Sequence, residues 1–343
     1  MGKTMRVFVT GINGQLGHDC MIELAGRGYG AIGSDIQEAP AGAGARPGSA
    51  GGAADSEAGS GPGADQKPPA GGCAAPHSAA ICRSAQPYVQ LDITDREAVL
   101  RTIREIHPDV IIHCAAWTAV DAAEDEANQP KVYAINAEGT RHMAEAARAV
   151  DAKMIYISTD YVFDGQGERP WQPDDKNYAP LNVYGKSKLE GELAVSSLLE
   201  KYFIVRIAWV FGVNGKNFIK TMLNVGKTHD TVRVVNDQIG TPTYTHDLAR
   251  LLVDMAETDK YGYYHATNEG GYISWYDFTC EIYRQAGLST KIVPVTTKEY
   301  GLSKAARPFN SRLDKSKLAE AGFVPLPVWK DALSRYLREI GEV

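Results

Sequence analysis

The chain has 343 residues, 44% of them hydrophobic and 23% charged, enough to bury a sizeable core in one large domain or two moderate ones. Thirty-six Lys plus Arg against 42 Asp plus Glu give a net charge of -6 and a pI near 5.8, which excludes a basic field that would draw nucleic acid or anionic lipid. Five cysteines without CxxC or Cys/His spacing disfavour disulfides and zinc, and no run of about 18 apolar residues is present to span a membrane. The start, MGKTMRVFVTG, enters a strand with no apolar leader, so a reducing cytoplasm is the expected setting.

Met5 to Thr10 (MRVFVT) predicts a strand, GINGQLG a turn, and the following residues to about Arg27 an amphipathic helix. Gly11, Gly14 and Gly17 are spaced G-x-x-G-x-x-G. The first permits a tight turn, the second lets backbone N–H groups approach a pyrophosphate, and the third lets helix pack on strand. Strand and helix on either side supply the context a dinucleotide site requires. The next strand, Gly30 to Ile36, carries Asp35, 21 residues beyond Gly14. An acid there accepts from adenosine ribose hydroxyls and repels a 2′-phosphate, which leans towards NADH.

Glu38 to Pro87 is rich in Gly, Ala, Pro and Ser, with Ile81 its only large aliphatic residue. Such composition cannot offset its ordering entropy, so the stretch is expected to be a disordered insertion, either inert or hanging near the cofactor's adenine end. Structure resumes at Tyr88 to Asp92, where Asp92 and Ile93 follow a strand whose end would face the adenine. A helix over Asp95 to Ile106 and a strand over Pro108 to Cys114 continue the alternation into CAAWTAVDAAE. Ala115, Ala116, Trp117 and Thr118 are candidate cofactor contacts and Val120 a substrate contact, against the alternative of a merely packed turn. Asp121 and Glu124 are expected on a solvated helix face. A long helix from about Val132 to Val150 should carry Asn136 on its first turns.

The apolar run Met154 to Ile157 predicts a buried strand ending at Ser158, Thr159 and Asp160, small polar residues where a parallel strand meets its crevice. In YGKSKLEGE, Tyr184 and Lys188 lie four apart at the start of a helix, on one face. An ammonium close to a phenol favours the phenolate, so Lys188 is expected to lower the Tyr184 pKa towards the working pH of a tyrosine acid/base. Tyr202 to Phe211 predicts a further buried strand ending in Trp209. Beyond it, polar strand ends at Asn217, Asp237, Gln238 and Thr243, helices from Thr245 and Ser274, then KIVPV and ARPFNSRLD, predict a smaller α/β lobe over the crevice. Arg307 could present a fork of donors to a diphosphate or simply lie at the surface.

Together TGINGQLG, the Asp35 strand, STDYVFDG, PLNVYGKSKLEGE, RIAWVFG, NDQIGTPT and RPFNSRLD resemble the extended short-chain dehydrogenases/reductases, and within them the dTDP-4-dehydrorhamnose reductases, over nearly the whole chain outside Glu38 to Pro87. The resemblance implies a Rossmann-type, doubly wound parallel sheet with a smaller C-terminal α/β substrate lobe. The corresponding domains are 1–37 with 88–211 for the dinucleotide, 38–87 inserted, and 212–343 mainly for substrate, with some segments returning to the first. It implies NAD(P)H-dependent reduction of a 4-keto group on a dTDP-linked 6-deoxyhexose to give dTDP-L-rhamnose. Tyr184 would be the proton donor, Lys188 the residue that binds the nicotinamide ribose and tunes the tyrosine, and Thr159 the carbonyl-polarising hydroxyl. Implied cofactor contacts are Gly11, Gly14, Gln15, Leu16, Gly17, Asp35, Asp92, Ile93, Ala116, Trp117, Thr118, Tyr184 and Lys188. Implied substrate contacts are Thr159, Asp160 and Trp209, joined by Val120, Asn217, Gln238 and Arg307. Members of the family often accept NADPH as well as NADH. Some form magnesium-linked homodimers, although no residue constellation here supplies a metal site. Another nucleotide-sugar reductase or epimerase uses the same Tyr/Lys pair, and a related family serves methionine adenosyltransferase as a non-enzymatic regulatory subunit. Retention of Tyr184, Lys188 and Thr159 argues against the last.

Overall fold

The computed structural model of the protein describes residues 5–38 and 87–343. The low-complexity stretch, with Cys73 and Cys82, lies outside the described residues apart from its end residues Glu38 and Pro87. In chain order the first half comprises β1 (Arg6–Thr10), α1 (Gln15–Gly26), β2 (Gly30–Asp35), β3 (Tyr88–Gln90), α2 (Arg96–Ile106), β4 (Val110–His113), α3 (Val120–Ala123), α4 (Gln129–Tyr133), α5 (Thr140–Ala149), β5 (Lys153–Thr159) and α6 (Val183–Leu198). The second half comprises β6 (Tyr202–Ile207), β7 (Val210–Phe211), α7 (Phe218–Thr228), β8 (Thr231–Val235), β9 (Ile239–Gly240), β10 (Thr243–Tyr244), α8 (Thr245–Ala256), β11 (Gly262–His265), β12 (Ile273–Ser274), α9 (Trp275–Ala286) and β13 (Lys291–Val295), followed by short C-terminal helices.

Among the described residues, seven strands form one sheet in the order β3-β2-β1-β4-β5-β6-β11, every neighbouring pair parallel. Such strands are buried on both faces, which is why their sequences are nearly continuous apolar runs. Alternation then divides the core. Val7, Val9, Ile155 and Ile157 point to the face covered by α1 and α8, while Phe8, Ile111, Met154 and Tyr156 pack beneath α2 and α5. The chain order reverses between β1 and β4, and register places Thr10 beside both Ser34 and His113 there. Thr159 pairs with Ile207 further along the same C-terminal edge. This edge, at the reversal point, is where open α/β sheets form a ligand crevice.

The last third builds a second core around Phe211, Tyr244, Phe278, Trp329 and Tyr336, flanked by the two-stranded pairs β7/β10, β9/β12 and β8/β13. Two expected elements differ. The long helix through Val150 is interrupted by a π-turn at Ala134–Gly139, which widens the helix where Asn136 turns inward to hydrogen-bond the Trp117 backbone. The strand expected through Phe211 breaks because Trp209 adopts φ +51°, so β6 ends at Ile207 and the chain turns towards the crevice.

Helix α2 begins where the sequence places its acid: Asp95 is the N-cap, its carboxylate accepting from the Ala98 N–H at 3.0 Å. Asp95→Ala should therefore cost about 1 kcal/mol, read as a lower urea midpoint at unchanged slope, because one orphan helix donor loses its partner.

Candidate functional site

A cavity of about 810 Å³ opens along the C-terminal edge of the sheet. Its floor at one end is the turn between β1 and α1. Gly11 has φ +72°, and a Cβ there would lie 2.7 Å from the Ala115 nitrogen, so the turn is pressed against the segment after β4. A Cβ on Gly17 would lie 2.3 Å from the Gly11 carbonyl oxygen, so this glycine admits the turn itself more than the strand. Gly14 caps α1 without a side chain, leaving the first-turn N–H groups of the helix facing the cavity, a setting suited to an anion. Asp35 closes this end. One carboxylate oxygen accepts from the Asn13 N–H at 3.0 Å and the other from Ile36 N–H at 2.9 Å. From some two hundred residues later in the chain, Asn214 donates to the Asn13 carbonyl at 2.9 Å and Asn217 to the Gln15 side chain at 3.1 Å.

At the other end, Thr159 and Asp160 leave β5 and α6 brings Tyr184 over them. The first turn of α6 is fixed by two acceptors: the N-cap Asn182 takes the Gly185 N–H at 2.8 Å, and Glu124 takes the Val183 N–H at 2.7 Å. Glu124 thus has a structural task, and the expectation of a solvated face fails because the N-terminus of α6 attracts a carboxylate. The Thr159 hydroxyl donates to Asp160 Oδ1 at 3.0 Å and accepts from the Tyr161 N–H at 3.3 Å, and Thr159 and Tyr184 line the same cavity. Ser158 Oγ and Asp160 Oδ2 are buried and have no hydrogen-bond partner within the protein. Unpartnered buried polar atoms facing a cavity are suited to a ligand that satisfies them. Burial pushes the Asp160 carboxyl up to about 6, against the pull of the neighbouring Ser311 and Thr159 hydroxyls.

The electrostatics reverse one expectation. Burial raises the Tyr184 phenol above its ordinary 10; the neighbouring Thr159 hydroxyl opposes the rise, and the Asp160 and Tyr161 charges add to it. Lys188 does not lower it, because burial brings the lysine itself down to about 7, with Glu192 and Cys114 pulling the other way. Its Nζ donates to the Ile157 carbonyl at 2.7 Å and sits 4.1 Å from the Tyr156 ring centroid. Beneath that ring His113, stacked at 5.8 Å and bound to Thr10 and Thr140, is driven by burial and by the Lys188 charge down to about 3 and stays neutral.

Most sequence-singled residues meet in this one cavity: Gly11, Gly14, Gln15, Leu16, Gly17, Asp35, Asp92, Ile93, Ala116, Thr118, Val120, Thr159, Asp160, Tyr184, Lys188, Trp209 and Arg307. Three do not line it. Trp117 has its backbone clamped by Asn136, and its ring packs beside Val132 and Val183 with Nε1 donating to the Ala119 carbonyl. Asn217 is the N-cap of α7, with its amide spent on Gln15, Gly212 and Tyr336. Gln238 is buried and donates to Thr297. Arg307 lines the wall, but its fork is engaged: Nη2 meets Asp121 at 2.5 Å and Nη1 donates to the Tyr161 hydroxyl at 3.2 Å. Asp121 also accepts from the Lys304 and Ala305 N–H groups, so this acid, though half exposed as expected, has fixed partners as well. Burial pulls its carboxyl up, and these donors with Arg307 outweigh that and hold it low. Sequence reasoning passed over Tyr161, Lys216, Phe218 and Trp275, which also line the cavity. Tyr161 stood inside a motif already singled out, whereas Trp275 and Phe218 carry only the signal of core aromatics.

The glycine cradle, the exposed first turn of α1 and the acid at the end of β2 fit a nicotinamide dinucleotide. Among the described residues no three His, Cys, Asp or Glu side chains gather as a metal site, and no helix is long and apolar enough to cross a membrane.

Residues 5–341 match the family model described as RmlD substrate binding domain. The dTDP-4-dehydrorhamnose reductase of Streptomyces griseus is 44% identical over 250 residues, 71% of this chain and 81% of that protein. That of Escherichia coli K12 is 39% identical over 260 residues, 73% and 85% of the two. Among solved structures, the dTDP-4-dehydrorhamnose reductase of Clostridium acetobutylicum is similar with TM-score 0.79 and 37% identity, covering 98% of this chain and 100% of that one. That of Bacillus anthracis, in complex with NADP, has TM-score 0.78 and 36% identity, covering 98% and 99%.

Proposed function

The chain belongs to the dTDP-4-dehydrorhamnose reductase family, and from that premise we propose that it reduces the 4-keto group of dTDP-4-dehydro-6-deoxy-L-mannose to give dTDP-L-rhamnose. The observation that carries the reading is that Thr159, Tyr184 and Lys188 line one cavity whose other end is a glycine cradle. NAD(P)H, when bound, supplies the hydride to the sugar C4. Gly11, Gly14, Gln15, Leu16 and Gly17 would hold its pyrophosphate, Asp35, Asp92 and Ile93 its adenosine side, and Ala116, Thr118, Tyr184 and Lys188 its nicotinamide ribose side.

Tyr184 gives its phenolic proton to the sugar O4 as negative charge develops there. The raised pKa suits this direction of reaction, since a donor must be protonated before it acts. Thr159, on the same wall, turns its hydroxyl proton from Asp160 to the same oxygen and stabilises it. Asp160 Oδ2, buried and unpartnered, is placed to accept from a sugar hydroxyl. Trp209 and Val120 contribute apolar wall.

Purified protein offered dTDP-4-dehydro-6-deoxy-L-mannose should consume reduced nicotinamide in proportion to dTDP-L-rhamnose formed. Conversion of the sugar without net loss of NAD(P)H would instead identify an epimerase, and no conversion at all would remove the reading. Of the two nicotinamide forms, NADH is expected to give kcat/KM at least equal to NADPH, because Asp35 lines the cavity at the cofactor's adenosine end. Asp35→Ala should then shift the ratio about tenfold towards NADPH. A strong NADPH preference untouched by that change would show that Asp35 does not face the ribose.

A further inference from the structure

Trp209 is one of three non-glycine residues at positive φ among the described residues, and the only one of them that lines the cavity. A bulky side chain persists in that region only where its surroundings over-determine it, and such outliers gather at ligand sites. Here the surroundings can be named. The Trp209 indole stacks face to face on Trp275, centroids 3.7 Å apart and planes 16° from parallel. Phe218 backs Trp275 at 4.4 Å. On its edge Trp209 lies in a slot at Gly240, where a Cβ would come within 2.9 Å of its Cε2 and 3.0 Å of its Nε1. The carbonyl of Trp209 accepts from the Thr243 N–H at 3.1 Å, pinning the backbone beyond the turn.

Trp275 is itself held firmly. It is the first residue of α9, following Ser274, whose side chain and Asp277 form a reciprocal capping box. Ser274 and Ile273 pair antiparallel with Ile239 and Gly240, so one small sheet carries both the slot and the stacking partner. Trp209 follows β6, the neighbour of β5 that ends in Thr159, and both indoles reach the same wall.

Resting on the reading that this cavity takes a dTDP-hexose, we propose that Trp275 is a positioning residue for the substrate: by stacking on Trp209 it keeps that indole in its left-handed backbone conformation, facing the sugar nucleotide. The stack holds one ring against the other, and a preset ring face spares the ligand the ordering of a mobile one. At the cofactor end the glycine turn is braced by the Asn214 and Asn217 side chains, not by either indole.

Trp275→Ala is expected to raise the KM for the dTDP-sugar about tenfold, leave the KM for NAD(P)H unchanged, and leave the melting temperature close to wild type. Trp275→Phe, which keeps a stacking face, should recover most of the loss. Gly240→Ala, outside the cavity wall, should reproduce the defect by pushing Trp209 from its slot. A titration with dTDP followed by tryptophan fluorescence gives a second readout that needs no turnover. If wild type binds dTDP but does not reduce the sugar, the functional reading falls while the titration still decides the role of Trp275. Equal dTDP affinity in wild type, Trp275→Ala and Gly240→Ala overturns the proposal. So does a uniform loss of sugar and cofactor binding together with thermal stability, which would mark Trp275 as structural packing alone.

Discussion

Tyr184→Phe is expected to lower kcat at least about a hundredfold while the protein keeps its melting temperature and its affinity for reduced cofactor. Phenylalanine retains the ring, which packs edge-on to Tyr161 at 5.7 Å, and removes only the hydroxyl. The buried Thr159 hydroxyl keeps its bonds to Asp160 and to the Tyr161 N–H, so no new unpartnered group destabilises the variant. The measurement is steady-state turnover beside a thermal melt. Near-wild-type turnover would mean that another group supplies the proton. Because burial holds the phenol above its ordinary pKa, wild-type turnover should not decline through loss of this proton across neutral pH.

Lys188→Met should abolish most activity and, in the cofactor-free protein, raise stability at low pH. Burial brings the lysine to about 7 in the folded chain, against about 10.4 when unfolded. Between those values the unfolded chain holds a proton that the folded chain lacks, so stability rises with pH across that window. Below about 7 the charge is present in both states and the whole desolvation cost is borne by the fold. Methionine carries no charge, so its advantage is greatest near pH 6 and gone near pH 10.5. Losing the bond to the Ile157 carbonyl offsets part of the gain, leaving on the order of 2 kcal/mol. Melts of both proteins at pH 6 and above pH 10 check the sign. A methionine variant that is less stable at pH 6, or equally stabilised at both, would show that Lys188 is not held against its charge.

The parts legible in the sequence were those whose geometry is local. MRVFV followed by G-x-x-G-x-x-G specifies strand, tight turn and helix from period and glycine alone, and the four-residue spacing of Tyr184 and Lys188 fixes a shared helical face. What escaped depends on partners far away in the chain. Asp121 could be assigned to solvent alone only so long as Arg307, 186 residues later, was not known to meet it. The shift of Tyr184 is a burial effect, and sequence spacing announces the neighbouring charge but not the absence of water. Trp117 stands between two residues that line the cavity, yet the Asn136 clamp, made by a π-turn with no compositional signature, turns its ring elsewhere. Asn217 and Gln238 have polar side chains at element ends, which serve as caps and braces as readily as ligand contacts.

The hydrogen bonds from Asn214 and Asn217 to the Gly-rich turn have a consequence for biogenesis. The side chains that brace this turn leave the ribosome some two hundred residues after it. Arg27 at the end of α1 waits longer still for Asp254 and Glu257. A nascent chain thus carries an unbraced cradle until Asn214 and Asn217 have emerged and packed against it. Emergence of these asparagines, more than that of the glycine motif, sets the moment at which the cellular nicotinamide pool can begin to stabilise the fold through binding.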